Sequence, residues 1–161
     1  MFREMRRKKQ LLSMEETEAI MMKGTSGVLA LAKGDEGYPY AVPVSYVYTD
    51  GKIYFHCAKA GHKLDAIRQE EKVSFCVIEE DQIVAEEFTT YFKSVIAFGR
   101  ARILEEPAEI RQAIVTLADK YSGNMPVERR DQEINGSQGK FVMVEITIDH
   151  MTGKQAIEWV K

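Results

Sequence analysis

A chain of 161 residues with 45% hydrophobic content is long enough to bury a core and short enough to form one domain. Its 22 basic against 25 acidic residues leave a formal net charge of -3, which removes the electrostatic case for nucleic acid as a main partner. The two cysteines, Cys57 and Cys76, sit at no metal-ligand or redox-pair spacing, so a disulfide scaffold is unnecessary and a reducing, cytoplasmic setting is expected.

The opening Arg3-Glu4-Met5-Arg6-Arg7-Lys8-Lys9 is basic, but the stretch after Lys9 is too short and too acidic for the apolar part of a signal peptide. No run resembles a membrane span. Residues 1–12 are expected to form a basic N-terminal arm on a single domain covering 1–161. Ser13 and Glu16 have the spacing at which each side chain satisfies the other's free backbone N–H, which predicts a helix start. Ile20 and Met21 supply its buried stripe.

From Val28 the period changes to that of strands. Val28 to Ala32 is a short apolar run closed by the turn-rich Lys33-Gly34-Asp35-Glu36-Gly37, and Tyr40 to Tyr48 and Lys52 to Cys57 come next. Asp50-Gly51 between them tolerates positive φ and predicts a tight hairpin. Pro43 cannot donate to a ladder, so it belongs at an edge or a bulge. Further strands are expected at Val73 to Ile78, Ser94 to Leu104 and Phe141 to Ile148. Two helices interrupt them. One covers His62 to Arg68. The other covers Pro107 to Tyr121, where Ile110, Ala113, Ile114, Leu117 and Tyr121 recur at helical spacing. Asn124 to Gln138 reads as a polar loop, and Glu79-Glu80-Asp81 and Glu86-Glu87 as exposed loop charges. Many strands with few helices predict a mainly β fold, an antiparallel barrel.

Chemistry concentrates in Tyr54-Phe55-His56-Cys57-Ala58-Lys59-Ala60-Gly61-His62-Lys63-Leu64, which runs from a strand end through small residues into a helix start. A helix N-terminus presents unpaired N–H groups and partial positive charge, so basic residues there are ordinarily unfavourable. His62 and Lys63 at that position, with Lys59 before them, either point to water or serve a bound anion. A phosphate is the natural guest, and Gly61 would let backbone approach it. His56 either lines a pocket or caps a barrel end. The spacings of His56, Cys57, His62, Cys76 and His150 match no zinc pattern. No dinucleotide fingerprint, Walker A motif or nucleophile elbow is present.

Tyr38 to Tyr48, then Asp50 to Ala58, then Gly61-His62-Lys63, taken in order, resemble the FMN-binding split-barrel family of the pyridoxamine 5′-phosphate oxidases. Met5-Arg6-Arg7 and Ser94-Val95-Ile96-Ala97-Phe98-Gly99-Arg100-Ala101 are similar to its nitroimidazole-resistance subgroup. The resemblance runs from about Met5 to Trp159. It implies a six-stranded split barrel, a homodimer with FMN at the subunit interface, and a small-molecule acceptor. It also implies that Val42, Pro43, Val44 and Ser45 lie along the flavin, and that Phe55, His56, Cys57 and Ala58 flank flavin and phosphate. Gly61, His62 and Lys63 would hold the phosphate, and Ser94 and Val95 would contribute from the neighbouring side. His56 is the candidate catalytic residue.

The segment Val42 to Ser45 carries no arginine, and Met151 to Lys161 lacks the oxidase's basic signature, so oxidation of pyridoxamine phosphate is disfavoured. The expected function is FMN-dependent reduction of a small planar acceptor such as a 5-nitroimidazole. The alternatives are a pyridoxamine phosphate oxidase-like enzyme, or a flavin- or haem-binding protein without turnover. Related barrels also bind deazaflavin, and fold does not separate these. The apolar segment around Trp159 is a further, physical reason to expect a partner subunit.

Overall fold

The structure, a computed structural model, describes residues 1–161. Seven strands form one antiparallel sheet: β1 (Gly27–Leu31), β2 (Tyr40–Val44), β3 (Val47–Thr49), β4 (Lys52–Ala58), β5 (Lys72–Val84), β6 (Thr89–Ile103) and β7 (Phe141–Gln155). Four helices accompany them: α1 (Met14–Lys23), α2 (His62–Gln69), α3 (Pro107–Ser122) and α4 (Val127–Gly136). No helix is long and apolar enough to cross a membrane.

The strand order is β2-β1-β5-β6-β7-β4-β3. β2 and β3 therefore stand at opposite ends of the sheet, yet only Ser45 and Tyr46 separate them in the chain. Laid flat, the outer two of seven strands would be roughly 29 Å apart, whereas three Cα–Cα steps reach about 11 Å. The sheet must roll until its ends meet, which makes it a barrel.

The sheet has seven strands where the resemblance implies six, because the segment Tyr40 to Tyr48 breaks in two at Ser45-Tyr46. What stands beside the break is a side chain. The Tyr121 hydroxyl of α3 accepts from the Tyr46 N–H at 2.9 Å and lies 2.7 Å from the Tyr46 carbonyl and 2.6 Å from that of Thr25. It occupies the place of a missing strand partner. Tyr46 itself is fully buried, and its hydroxyl donates to the Met21 carbonyl at 2.7 Å. Tyr121→Phe removes the acceptor from the buried Tyr46 N–H. It should destabilise the fold by about 1–3 kcal/mol, the cost of an unpaired buried polar group. Thermal unfolding checks this, and an unchanged Tm would mean that the break is held some other way.

Local sequence accounts for most elements. Ser13 Oγ accepts from the Glu16 N–H at 3.1 Å and the Glu16 carboxylate accepts from the Ser13 N–H at 3.0 Å, completing the reciprocal cap of α1. Asp50 and Gly51 both take positive φ (49° and 73°) in the β3–β4 hairpin. Pro43 lies on β2, an edge strand paired only with β1.

The barrel interior is filled by Leu29, Ile53, Phe55, Phe75, Val77, Val95, Val144 and Ile146, with Ile20 and Met21 of α1 and Leu64 and Ile67 of α2 packed in the same core. A second, smaller core lies elsewhere: Val47, Leu104 and Met143 meet Ala113 and Leu117 of α3.

Three further expectations are corrected. The polar stretch Asn124 to Gln138 is not a loop but contains α4. Its apolar anchor is the single buried Ile134. Ion pairs to α3 do the rest: Arg111 reaches Asp131 at 3.3 Å and the Asn135 side chain at 2.8 Å, and Arg130 reaches Asp119 at 2.7 Å. Likewise Glu79-Glu80-Asp81 are not loop charges. They belong to β5, which with β6 extends into a long hairpin containing an irregularity at Glu79. Trp159 packs on that hairpin within its own chain, edge-on to Tyr91 at 5.5 Å with Lys93 over its ring. It therefore gives no reason of its own to expect a second subunit.

Candidate functional site

Side chains alternate along β4. Ile53 and Phe55 are buried in the barrel, and Cys57 packs against them; His56 and Ala58 are exposed on the other face. The histidine thus points outward, as its position in the strand predicts. Its ring stands edge-on to Phe141 of β7, with centroids 6.1 Å apart and planes at 89°. It opens onto a cleft of about 530 Å³ formed with Ser45, with Ile114 and Leu117 of α3, and with Ile134 of α4. Glu133 and Lys140 also line it. A mostly apolar recess of this size with a few convergent polar groups suits a small planar molecule.

Three residues beyond Ala58, the chain reaches Gly61 at φ 143°, a conformation that costs a residue with a Cβ and is open to glycine. Gly61 is the N-cap of α2, and no side chain caps that helix. Nothing lies within 4 Å of where its Cβ would be. The first N–H groups of α2 are therefore approachable, and a helix start of this kind favours an anion. Fully extended chain from His56 to His62 would span at most about 21 Å, so cleft and helix start lie within reach of one elongated ligand.

The two basic residues at the helix start have different surroundings. His62 Nε2 accepts from the Asp35 N–H at 3.1 Å, and its ring stacks on Tyr40 at 3.9 Å. In this arrangement His62 steadies the 35–37 turn. Lys63 is half-buried and acts on Cys57: burial pushes the thiol's pKa up, and the Lys63 charge pulls part of it back.

The remaining predicted residues separate by facing. Val42 and Val44 pack against the barrel core, while Pro43 and Ser45 alternate to the exposed side. Phe55 and Val95 are fully buried, so only their backbone could meet a ligand. Ser94 pairs with Ile78 and Lys154 and does not line the cleft. The structure thus brings Ser45 and His56 together, joins them through one strand end to Gly61 and Lys63, and leaves Ser94 and Val95 elsewhere.

Sequence reasoning alone misses Phe141, Ile134, Glu133 and Lys140. The signal available for α4 is Pro126 followed by Val127 and Ile134 one heptad apart, flanked by charges that match those of α3.

Further along the same outer face, Tyr54 is cross-strand neighbour to Glu145. The Glu145 carboxylate is buried and accepts from Tyr54 Oη at 3.0 Å, Lys52 Nζ at 3.2 Å and Arg102 at 3.0 Å. Burial alone would raise its pKa, but the hydrogen bonds from Arg102, Lys52 and Tyr54 outweigh it and hold the carboxyl below its usual range. The Tyr54 phenol, desolvated and donating to a carboxylate, is pushed up to about 12.

Comparison with known proteins places this geometry. The family model described as pyridoxamine 5′-phosphate oxidase matches residues 13–155. An uncharacterized protein of Rhizobium meliloti (strain 1021) is 29% identical over 157 residues, covering 91% of this chain and 95% of that one. Among solved structures, a candidate 5-nitroimidazole antibiotic resistance protein from Bacteroides thetaiotaomicron superposes with a TM-score of 0.74 at 18% identity, covering 90% of this chain and 86% of the other. An FAD-binding protein from Mesorhizobium loti gives 0.62 at 24% identity, covering 91% and 97%. At these identities the structural likenesses establish the shared fold.

Proposed function

Because the chain belongs to the pyridoxamine 5′-phosphate oxidase family, we propose that it is a cytoplasmic, FMN-binding oxidoreductase that reduces a small planar acceptor of the 5-nitroimidazole kind. The observation that carries this reading is the placement of one outward histidine, in an apolar cleft, on the same strand end that leads to an uncapped helix start bearing Lys63. The flavin-binding and nitroimidazole-resistance descriptions of the structural neighbours support it.

The residues present fit such a cofactor. The free N–H groups after Gly61 and the Lys63 ammonium would hold a terminal phosphate. The exposed side of β2 at Pro43, Ser45 just beyond that strand, and the His56–Phe141 pair would lie along a flat ring system. A bound flavin supplies electron transfer to the acceptor. The protein's part is to orient and to exclude water. Ile114, Leu117 and Ile134 wall the cleft, and His56 is placed to donate a hydrogen bond or a proton to an acceptor beside it.

A homodimer with flavin at its interface is part of the same proposal. Val28, Ile78, Ile83 and Phe88, all exposed on β1 and the β5–β6 hairpin, offer a second copy an apolar surface of the kind rarely left open on a monomer. Light scattering showing a monomer that binds FMN fully would remove this part.

His56→Gln decides the catalytic role. FMN affinity and Tm should stay close to wild type, while single-turnover reduction of a nitroimidazole should slow by about 10²-fold or more, the lower range for a lost acid–base group. Unchanged turnover with intact FMN binding would reject it. Mass spectrometry of the ligand released from freshly purified protein tests the cofactor directly, and haem or an empty protein would sink the flavin reading.

A further inference from the structure

The β5–β6 hairpin outruns the rest of the barrel. β1 pairs with β5 only over Val73 to Cys76, and β7 leaves β6 at the Lys93–Gln155 pair. Beyond that point the two strands run on to Val84 and Thr89 with only each other as sheet partners. At the tip, residues 85–87 make a single helical turn. Phe88 follows it in the left-handed region, at φ 52° and ψ 40°.

That position ordinarily belongs to glycine or asparagine and is unfavourable for a bulky side chain. Phe88 is also 97% exposed, so no packing within its own chain offsets the strain. A strained backbone that holds an aromatic ring out into solvent points to a surface that receives the ring.

The chain's own cleft is out of reach. His56 pairs with Met143, which lies twelve residues along β7 from Gln155, or about 40 Å of strand. The hairpin runs onward from the Gln155 end, away from His56. A second copy removes the difficulty. A two-fold axis across the strands lays the hairpin end of one barrel beside the His56 end of the other, and repeats the contact twice.

Shape and charge at the cleft suit the tip. The cleft of about 530 Å³ is walled by Ile114, Leu117 and Ile134, with Phe141 edge-on to His56. Past the Ala58–Phe141 pair come Lys59 and Lys140, two like charges at neighbouring strand ends. No carboxylate lies within ion-pair distance of either, and such a juxtaposition is unfavourable until an acid joins it. Glu86 and Glu87 immediately precede Phe88, and neither of them meets a cation. Ile78 and Ile83, both exposed, carry the apolar surface from the barrel out to the tip.

We propose that Phe88 of each copy enters the His56 cleft of its partner and closes the open side, so that each site is built from two chains. This rests on the homodimer reading given above and adds which segment crosses and where it ends.

The test puts p-benzoylphenylalanine in place of Phe88 in the full chain and mixes isotope-labelled with unlabelled protein. Photo-crosslinks are mapped by mass spectrometry, with light scattering on the same sample. Crosslinks should join a labelled chain to an unlabelled one and fall in segments 114–121 and 134–141. Phe88→Ala should weaken dimerisation about tenfold or more, because each dimer loses two buried rings. Lys140→Glu, at an exposed site, should weaken it too, and adding Glu86→Lys should restore it. A dimer crosslinked elsewhere, or only within single chains, would overturn the insertion and leave the homodimer standing. So would a Phe88→Ala dimer as tight as wild type. A monomer by light scattering would end the homodimer reading, and the insertion with it.

Discussion

Replacing Glu145 by alanine is expected to lower stability by about 2–3 kcal/mol, near the value of a hydrogen bond to a charged group, and Tm by about 4–12 °C for a domain of this size. The carboxylate is 6% exposed and gathers Arg102, Lys52 and Tyr54 on the outer face of β4 and β7. The cost stays below that of breaking a fully buried pair for a specific reason. Arg102 is half exposed and keeps Glu109 at 3.0 Å, and the Lys52 side chain is 40% exposed. Both cations can rehydrate, whereas Tyr54 loses the acceptor that its desolvated hydroxyl uses.

The same residue sets a pH dependence whose sign is fixed. Folding holds the Glu145 carboxyl below its ordinary value of 4.5. Its contribution is therefore complete above that value and is lost as pH falls through the lower, folded-state one. The Tm difference between wild type and Glu145→Gln should be widest near neutrality and should shrink as the pH drops below about 4.5. A difference that stayed constant down to acid would show that the carboxylate's charge contributes nothing.

Where the fold is legible in the sequence, the reason is local. The reciprocal cap at Ser13 and Glu16, the Asp50-Gly51 turn, Pro43 on an edge, and the outward facing of His56 each follow from the chemistry of a few adjacent residues. The illegible parts depend on distant partners. The interruption of the strand at Ser45-Tyr46 is held by Tyr121, 75 positions away, and nothing near Ser45 announces it. The helix α4 has one buried apolar residue, so its periodicity is reduced to the Val127–Ile134 spacing. Its stabilising ion pairs exist only because α3 lies alongside. The cleft suffers in the same way. His56 and Ser45 are visible as candidates, but the walls from Ile114, Leu117 and Ile134 come from two helices. One of those helices has the composition of a loop. Val95 is the opposite case, because the side chain of a residue carried over as a ligand contact is buried in the barrel, which leaves only its backbone to meet a ligand. Resemblance gives positions, and facing has to come from burial.

Lys63→Ala should weaken FMN binding by about 1.5–3 kcal/mol, roughly 10- to 150-fold, and should hardly change the affinity for riboflavin. The two ligands share a ring system and differ by the terminal phosphate, so a selective loss locates that phosphate at the start of α2. His62→Ala serves as the contrast. His62 is engaged with the Asp35 N–H and Tyr40, so its removal should loosen the 35–37 turn and weaken both ligands alike. Fluorescence titration of apo-protein measures all four constants. Equal losses for FMN and riboflavin in Lys63→Ala would place Lys63 in the scaffold, and a wild type that holds riboflavin as tightly as FMN would end the phosphate reading. Preference for FAD over FMN would redirect it toward a diphosphate. An independent readout guards against misfolding. The Lys63 charge now offsets part of the burial that raises the Cys57 thiol. Lys63→Ala should therefore move that thiol's pKa further up and slow its alkylation near neutral pH, where the thiolate is the reacting form. Slower alkylation together with a selective loss of FMN would fix Lys63 between the strand end and the phosphate. Unchanged alkylation would mean that the ammonium does not face the end of β4.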